Sequence, residues 1–272
     1  MTPAKFRTLV WAYYKKHGRH ALPWRPPSLK LRKGKENDTL YRVLVSEVML
    51  QQTQVERVIP FYKQFIKQFP TAERLADAPL REVLIAWQGL GYNRRAKMLH
   101  AAAQKLVATP LSGTRSNLVE ELEKLPGVGP YTARAVAAFV WNEDVVFVET
   151  NIRTAIIHHF FSKKKKVSDT KIEKILAQAL PKGKARKWYS ALMDYGAYLK
   201  KSGVRVNAKS NMYTKQSKFA GSLREARGVI LRECTRGASS RTRLINLLGP
   251  SRKEQMKKAL KALVKEGLIS GS

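Results

Sequence analysis

Apolar residues recur at helical spacing along most of the chain. In the first twenty residues Phe6, Leu9, Val10, Tyr13 and Tyr14 share one stripe, which predicts a helix ending near His17-Gly18. Leu22-Pro23-Trp24-Arg25-Pro26-Pro27 cannot continue it, and the polar, basic stretch from Lys30 to Asn37 reads as a surface loop. From Leu40 to Val107 the stripe resumes as successive helices punctuated by Pro60, Pro70 and Pro79, with Thr71 and Asp77 as caps. A loop from Thr109 to Asn117 follows, and then two helices flank the turn Leu125-Pro126-Gly127-Val128-Gly129. Val145 to Val148 has strand character but no evident partner, so it reads as a buried extended connector into a helix from about Asn151. Lys163 to Lys166 reads as a solvated loop, and helices are expected over Asp169 to Leu180 and Ala185 to Lys201.

The fold class is therefore mostly α. Residues 206–222 are polar, basic and poor in aliphatics, and read as a linker. Beyond them the pattern predicts helices over Leu223 to Cys234, Arg241 to Leu248 and Ser251 to Glu266, with Gly267-Leu268-Ile269 able to start a strand. Three helices and a strand would make 223–272 a small winged-helix-like module whose third helix carries Arg252, Lys253, Lys257, Lys258 and Lys261; a plain helical tail is the alternative.

Charge decides the partner class. With 52 Lys+Arg against 20 Asp+Glu among 272 residues, the formal net charge is +32, far beyond what solubility needs. Lys and Arg that displace counterions from phosphates account for most sequence-independent nucleic-acid affinity, so a nucleic acid is the expected partner. No run approaches a membrane span, and the N-terminus is too interrupted by charge for a signal peptide, so a cytoplasmic protein, nucleoid-associated if bacterial, is expected. The lone Cys234 excludes an intramolecular disulfide and a cysteine-ligated zinc or iron–sulfur site. His17, His20, His100, His158 and His159 show no metal-ligand spacing, so no metal and no cofactor is expected.

The segment LEKLPGVGPYTARAVAAF, Leu122 to Phe139, is the most informative. A turn with Gly127, Val128 and Gly129 between helices lets backbone N–H groups approach a phosphate, and the next helix offers its positive end, with Thr132 in its first turn. Five further motifs stand around it: LPWR (Leu22 to Arg25), SEVMLQQTQV (Ser46 to Val55), GLGYNRRAKMLH (Gly89 to His100), ETNIR (Glu149 to Arg153) and ALMDYGA (Ala191 to Ala197). On these motifs, in this order, the chain from about Ala21 to Leu199 resembles the helix-hairpin-helix DNA glycosylases, and among them the MutY-type adenine glycosylases.

The resemblance implies a two-domain fold: a six-helix domain at 31–145 holding the hairpin, and a second helical domain built from 1–30 and 146–205. It also implies roles. Glu47 lies in the mostly apolar VLVSEVMLQQT, where burial would raise its pKa and suit it to protonate a purine leaving group; otherwise it satisfies backbone amides. Glu149 stands where the superfamily carries an aspartate that stabilises an oxocarbenium-like sugar, so either the backbone sits farther back or the longer side chain folds. Tyr131 occupies the position of the Schiff-base lysine of bifunctional relatives and implies a monofunctional enzyme that leaves an abasic site. Asn151 orients a carboxylate or water, or caps its helix. Gln51, Gln52 and Tyr92 match residues inserted beside an extruded nucleotide, although Tyr92 also suits a core position. Arg25 with Trp24 lines the lesion pocket or packs, and Asp194 reads as an ion-pairing structural residue.

Two family features are missing. The four cysteines that hold a [4Fe–4S] cluster after the last of these helices are replaced by the lysine-rich Lys200 to Lys218, and the roughly fifty residues after the linker are too few for a nudix-like domain. The expected function is hydrolysis of the N-glycosidic bond of a flipped mispaired base in double-stranded DNA, adenine opposite 8-oxoguanine or guanine, by a monomer. The rivals are a thymine or uracil glycosylase acting on G mismatches, and a noncatalytic DNA-binding protein on the same fold.

Overall fold

The structure is a computed structural model that describes residues 1–25, 36–109, 111, 117–213 and 218–270. Among them the elements are α1 (Pro3–His17), α2 (Glu36–Leu50), α3 (Val55–Gln68), α4 (Ala72–Ala76), α5 (Leu80–Ala86), α6 (Arg94–Ala108), α7 (Leu118–Glu123), α8 (Pro130–Trp141), α9 (Thr150–Phe160), α10 (Asp169–Ala179), α11 (Ala185–Lys201), α12 (Leu223–Arg236), α13 (Arg241–Asn246) and α14 (Lys253–Lys265). The mostly α class expected from the stripes is what the chain forms. Side-chain caps start several helices: Thr2, Thr71, Ser222 and Ser240 each accept the amide three residues on, a device that contributes about 1 kcal/mol per helix.

Local departures from the expected pattern have physical causes. Helix α2 begins at Glu36, before the first apolar stripe residue; the rest of the expected 30–37 loop, residues 30–35, lies outside the described residues. Pro60 does not punctuate α3 but sits within it, near its start and on the exposed face. Asp77 is the C-cap of α4, not the start of α5, which follows Pro79. Of the loop expected from Thr109 to Asn117, residues 110 and 112–116 lie outside the described residues.

The packing divides the chain into two compact units, Met1–Glu47, Ser112–Lys124 and Val128–Lys215 in one, and Val48–Leu111, Leu125–Gly127 and Gln216–Ser272 in the other. Helix α8 packs with α7, its neighbour in the expected 31–145 block, and also with α11 from the expected flank.

In the first unit α1, α8, α9, α10 and α11 enclose one aromatic-rich core around Phe6, Ile152, Trp188, Tyr189 and Leu192. Phe6 meets Phe160, Trp188 and Tyr195 edge-on at 5.3 to 6.5 Å, the geometry that aromatic quadrupoles favour. Residues Val145 to Val148 belong to no helix or strand, and Phe147 stacks at 4.0 Å on Tyr189. The start of the expected linker is instead docked here. Val167 bonds Lys209 and Asn211 through its backbone, Ser210 is buried, and Val204 and Val206 pack on the core, since these aliphatics have apolar surface to cover. Residues 214–217 of the linker lie outside the described residues.

In the second unit α3 to α6 bury Phe65, Leu75, Val83, Trp87 and Leu99. The C-terminal helices α12 to α14 have a core of their own, with Ile230, Met256 and Leu263, and α12 docks on α5. Arg81 donates to the Thr235 carbonyl at 2.7 Å, Gln88 bonds the Thr235 hydroxyl, and Lys97 reaches the Glu266 carbonyl. The strand expected at Gly267-Leu268-Ile269 is absent among the described residues. Gly267 at φ +62 bonds the Val264 carbonyl, Leu268 bonds that of Leu263, and the buried Leu268 side chain seals the end of α14 as a Schellman cap. Among the described residues the terminal unit is thus three helices without a wing.

Candidate active site

Helix α2 buries Leu40, Val43, Leu44 and Val45, and on this apolar helix Glu47 is only 6% exposed. Burial penalises its charged form and pushes the carboxyl up to about 7; the Tyr131 hydrogen bond lowers it, the charge of Glu149 raises it, and Arg25 lowers it. The Tyr131 hydroxyl, one residue into α8, donates to Glu47 Oε2 at 3.2 Å. Burial, followed by the two glutamates, holds the Tyr131 phenol well above its ordinary value, so it remains a neutral donor. Its ring rests edge-on against Phe147 at 5.7 Å, which ties α8 to the connector before α9.

That connector ends at Glu149, the N-cap of α9. Its extra methylene is taken up by folding: Oε1 accepts the Ile152 amide at 3.2 Å, and Oε2 accepts Asn151 Nδ2 at 3.4 Å. Lys200 of α11 donates to Asn151 Oδ1 at 3.2 Å, so a cation backs the carboxylate through the amide. Burial raises the Glu149 carboxyl, against the lowering exerted by the Asn151 and Ile152 amides and by Lys200. Asn151 is therefore not the cap of α9; it lies beside the capping carboxylate and orients it. Gly196 of α11 makes this possible, because a Cβ there would meet the Asn151 carbonyl oxygen at 2.0 Å. Neither Gly196 nor Lys200 was singled out for this place from the sequence, where the former is one glycine in ALMDYGA and the latter one lysine in a basic run.

Arg25 turns inward. Its Nη1 bonds both oxygens of Asp194 at 3.0 Å, while Arg19 adds its backbone amide at 2.8 Å and its Nε at 2.7 Å. Asp194, 2% exposed, is the ion-pairing residue expected, with all its lone pairs engaged, as a buried charge requires. Trp24 beside it is buried.

The hairpin residues differ in what they need. Gly127 has φ +76, and a Cβ would strike Met98 at 2.6 Å, so only glycine fits. Gly129 is extended and open, and as a glycine it places no side-chain cap on the N-terminus of α8 that follows. Val128 and Thr132 are buried.

In the second unit Gln52 and Tyr92 hold the unusual φ values +54 and +50. Arg95, a residue not singled out from the sequence, holds the loops that carry them. Its guanidinium donates to the carbonyls of Val48 (2.8 Å), Met49 (3.0 Å), Gln51 (2.6 Å) and Gly91 (3.0 Å) and lies between the rings of Trp87 and Tyr92. The signal available was a cation on α6 next to the buried Ala96 and Leu99. Among the described residues no group of His, Cys, Asp or Glu could hold a metal ion.

The sequence profile of the HhH-GPD superfamily of base excision DNA repair proteins matches residues 45–182. The chain is 35% identical over 216 residues to the adenine DNA glycosylase of Buchnera aphidicola subsp. Baizongia pistaciae, covering 78% of this chain and 57% of that protein. With the adenine DNA glycosylase of Mycolicibacterium smegmatis the identity is 39% over 182 residues, 66% of this chain and 59% of the other. With that of Mus musculus it is 39% over 148 residues, 54% and 28%. The chain thus spans less than two thirds of these curated relatives. Among solved structures, a thermostable thymine-DNA glycosylase superposes with a TM-score of 0.56 at 20% identity, covering 72% of this chain and 86% of that one. A non-covalent endonuclease III–DNA complex gives 0.54 at 20% identity, covering 73% and 87%. At that identity the likeness is one of fold.

Proposed function

The chain belongs to the HhH-GPD superfamily of base excision DNA repair proteins, and from that premise we propose that it is a monofunctional adenine DNA glycosylase acting on adenine opposite 8-oxoguanine or guanine in double-stranded DNA. The observation that carries this reading is the pair of carboxyls in unlike surroundings: Glu47 is buried and raised to about 7, whereas Glu149 faces helix amides and a lysine-backed asparagine. Burial raises both carboxyls, but Glu149 alone is held by helix amides and a lysine-backed asparagine that favour its charged form, and surroundings so unlike suit one group to be the acid and the other the carboxylate.

Neutral Glu47 gives its proton to a ring nitrogen of the extruded adenine as the C1′–N9 bond breaks and its electron pair leaves with the base. Glu149 stabilises the cationic sugar, and Asn151 fixes that carboxylate. Water adds at C1′, its proton returns to a carboxylate, and an abasic site remains. Tyr131 has no amine with which to form an imine, so the strand is not cleaved by that route. Gly127, Val128, Gly129 and Thr132 serve the phosphate backbone, Gln51, Gln52 and Tyr92 serve the disrupted base stack, and Arg25 shapes the pocket by holding Asp194. The names of the matching relatives support adenine as the base. In this reading the protein works on DNA as a monomer, in the cytoplasm or on a nucleoid; no helix among the described residues is long and apolar enough to cross a membrane.

The test is single-turnover base release from duplexes holding A opposite 8-oxoguanine, A opposite G, T opposite G and U opposite G, each followed by alkali. Release from the two adenine duplexes is expected. Release from T:G or U:G alone would overturn the choice of base, and no release from any duplex would favour a noncatalytic binder.

A further inference from the structure

A groove of about 1780 Å³ runs along α5, α12, α13 and α14, wholly within the second unit. None of the residues assigned above to catalysis or to DNA lines it. Its floor is apolar: Leu80, Cys234, Val264 and Ile269 keep part of their surface open, Val264 at 38%, over the packed Leu244 and Leu260. Its rim is cationic, with Arg241 at the start of α13 and Lys257, Lys258, Lys261 and Lys265 along α14.

No Asp or Glu lines the groove. Lys257 is met by Glu254 at 2.7 Å, and among the described residues no carboxylate stands within ion-pair distance of the other four cations. Lys257, Lys261 and Lys265 follow one another at four-residue spacing, as do Leu260 and Val264, so α14 carries a row of charge beside a row of hydrocarbon.

The two rows ask different things of an occupant. The lysines call for an anion, but the open apolar surface gains only when hydrocarbon covers it, which the phosphates of a DNA backbone do not supply. A small anion is too small, since pockets for small molecules run to about 1000 Å³. An amphipathic helix laid in the groove meets both rows at once.

We propose that this groove docks an acidic amphipathic helix of a partner protein, with its apolar side chains on Val264 and Ile269 and its carboxylates on Arg241, Lys258 and Lys261. The groove uses none of the side chains assigned to DNA, so partner and DNA do not compete for them. The inference stands whichever base the enzyme releases.

The experiment uses the full chain and a fluorescein-labelled peptide of about fifteen residues, long enough for a helix, with leucines at i, i+3, i+4 and i+7 among glutamates. A peptide of equal charge with serine for leucine is the comparison. The wild type is expected to bind the leucine peptide about tenfold more tightly or better at the same salt, the worth of burying about one leucine. The leucine peptide should also shield Cys234, the chain's only thiol, from a maleimide, which locates binding in the groove. Val264→Ser should reduce the preference for leucine. Lys258→Glu with Lys261→Glu should weaken peptide binding far more than Lys171→Glu with Lys174→Glu, an equal charge change on exposed positions of α10. Equal binding of the two peptides, an unshielded Cys234, or equal losses in the two charge pairs overturns the proposal. So does a loss of duplex affinity confined to the α14 pair without any preference for leucine, which would make the groove a DNA contact. Sedimentation as a dimer that Val264→Ser disperses would overturn it in favour of a second copy of the chain.

Discussion

The hydroxyl of Tyr131 donates to the carboxyl of Glu47 at 3.2 Å, and this bond pulls the Glu47 pKa down while burial pushes it up to about 7. Removing the donor in Tyr131→Phe therefore moves the pKa further up. A reaction that needs neutral Glu47 then persists to higher pH, and the alkaline limb of the single-turnover rate shifts upward by about half a pH unit to one, the worth of a typical hydrogen bond. A limb displaced toward lower pH would contradict the assignment of Glu47 as the acid.

Glu47→Gln separates chemistry from stability. The amide still accepts from Tyr131 but has no acidic proton to give, so base release should vanish while DNA binding persists. The same substitution removes a buried charge. Because the Glu47 pKa is raised in the folded state, ionisation costs nothing below the unfolded carboxylate value of 4.5. The cost then grows as pH rises through about 7, to roughly 3 kcal/mol. Urea unfolding should therefore find the variant close to wild type at pH 5 and more stable at pH 8; equal stability at both would mean that Glu47 is solvated.

Helix stripes, caps and the acid in an apolar helix were legible in the sequence because each is a local pattern. Glu47, Tyr131, Glu149 and Asn151 could be chosen from motifs that the fold then assembles in one unit. What escaped was relational. Arg95 reads as one more charge in Arg94-Arg95-Ala96-Lys97, and nothing nearby in sequence tells that it meets carbonyls more than forty positions earlier. Gly267-Leu268 has the composition of a strand start, yet the preceding helix needed its carbonyls closed and used these residues as a cap.

Gly196→Ala tests how closely α11 must approach α9. An added Cβ would lie 2.0 Å from the Asn151 carbonyl oxygen, which is backbone and cannot step aside without moving the first turn of α9. Asn151 and Glu149 move with it. The expected result is a loss of about 1 to 3 kcal/mol of stability, typical of overpacking, with a fall of about 100-fold in the single-turnover rate for a displacement near 1 Å. Thermal melts and base-release assays at saturating enzyme measure the two effects, and an unchanged rate would show that Glu149 need not be held by this packing.

Arg95 offers the sharpest test of the second unit. One guanidinium bonds the carbonyls of Val48 and Met49 at the end of α2 and of Gln51 just after it, and that of Gly91 in the loop before α6. Burial lowers its pKa to about 10, so the charge is kept at neutral pH and is offset by those carbonyl dipoles. Arg95→Ala leaves several buried acceptors without a donor and an empty space between Trp87 and Tyr92, which should cost roughly 3 kcal/mol or more. Arg95→Lys keeps the charge but cannot spread donors over carbonyls on two loops, so it should recover only part of the loss. Released from this clamp, Gln52 and Tyr92 have no reason to stay at positive φ. Binding of an abasic-analogue duplex should then weaken more than the loss of one charge explains, as judged against Lys174→Ala at the same salt. A wild-type urea midpoint for Arg95→Ala, or a Kd matching that of Lys174→Ala, would mean that the two loops hold their shape without the arginine.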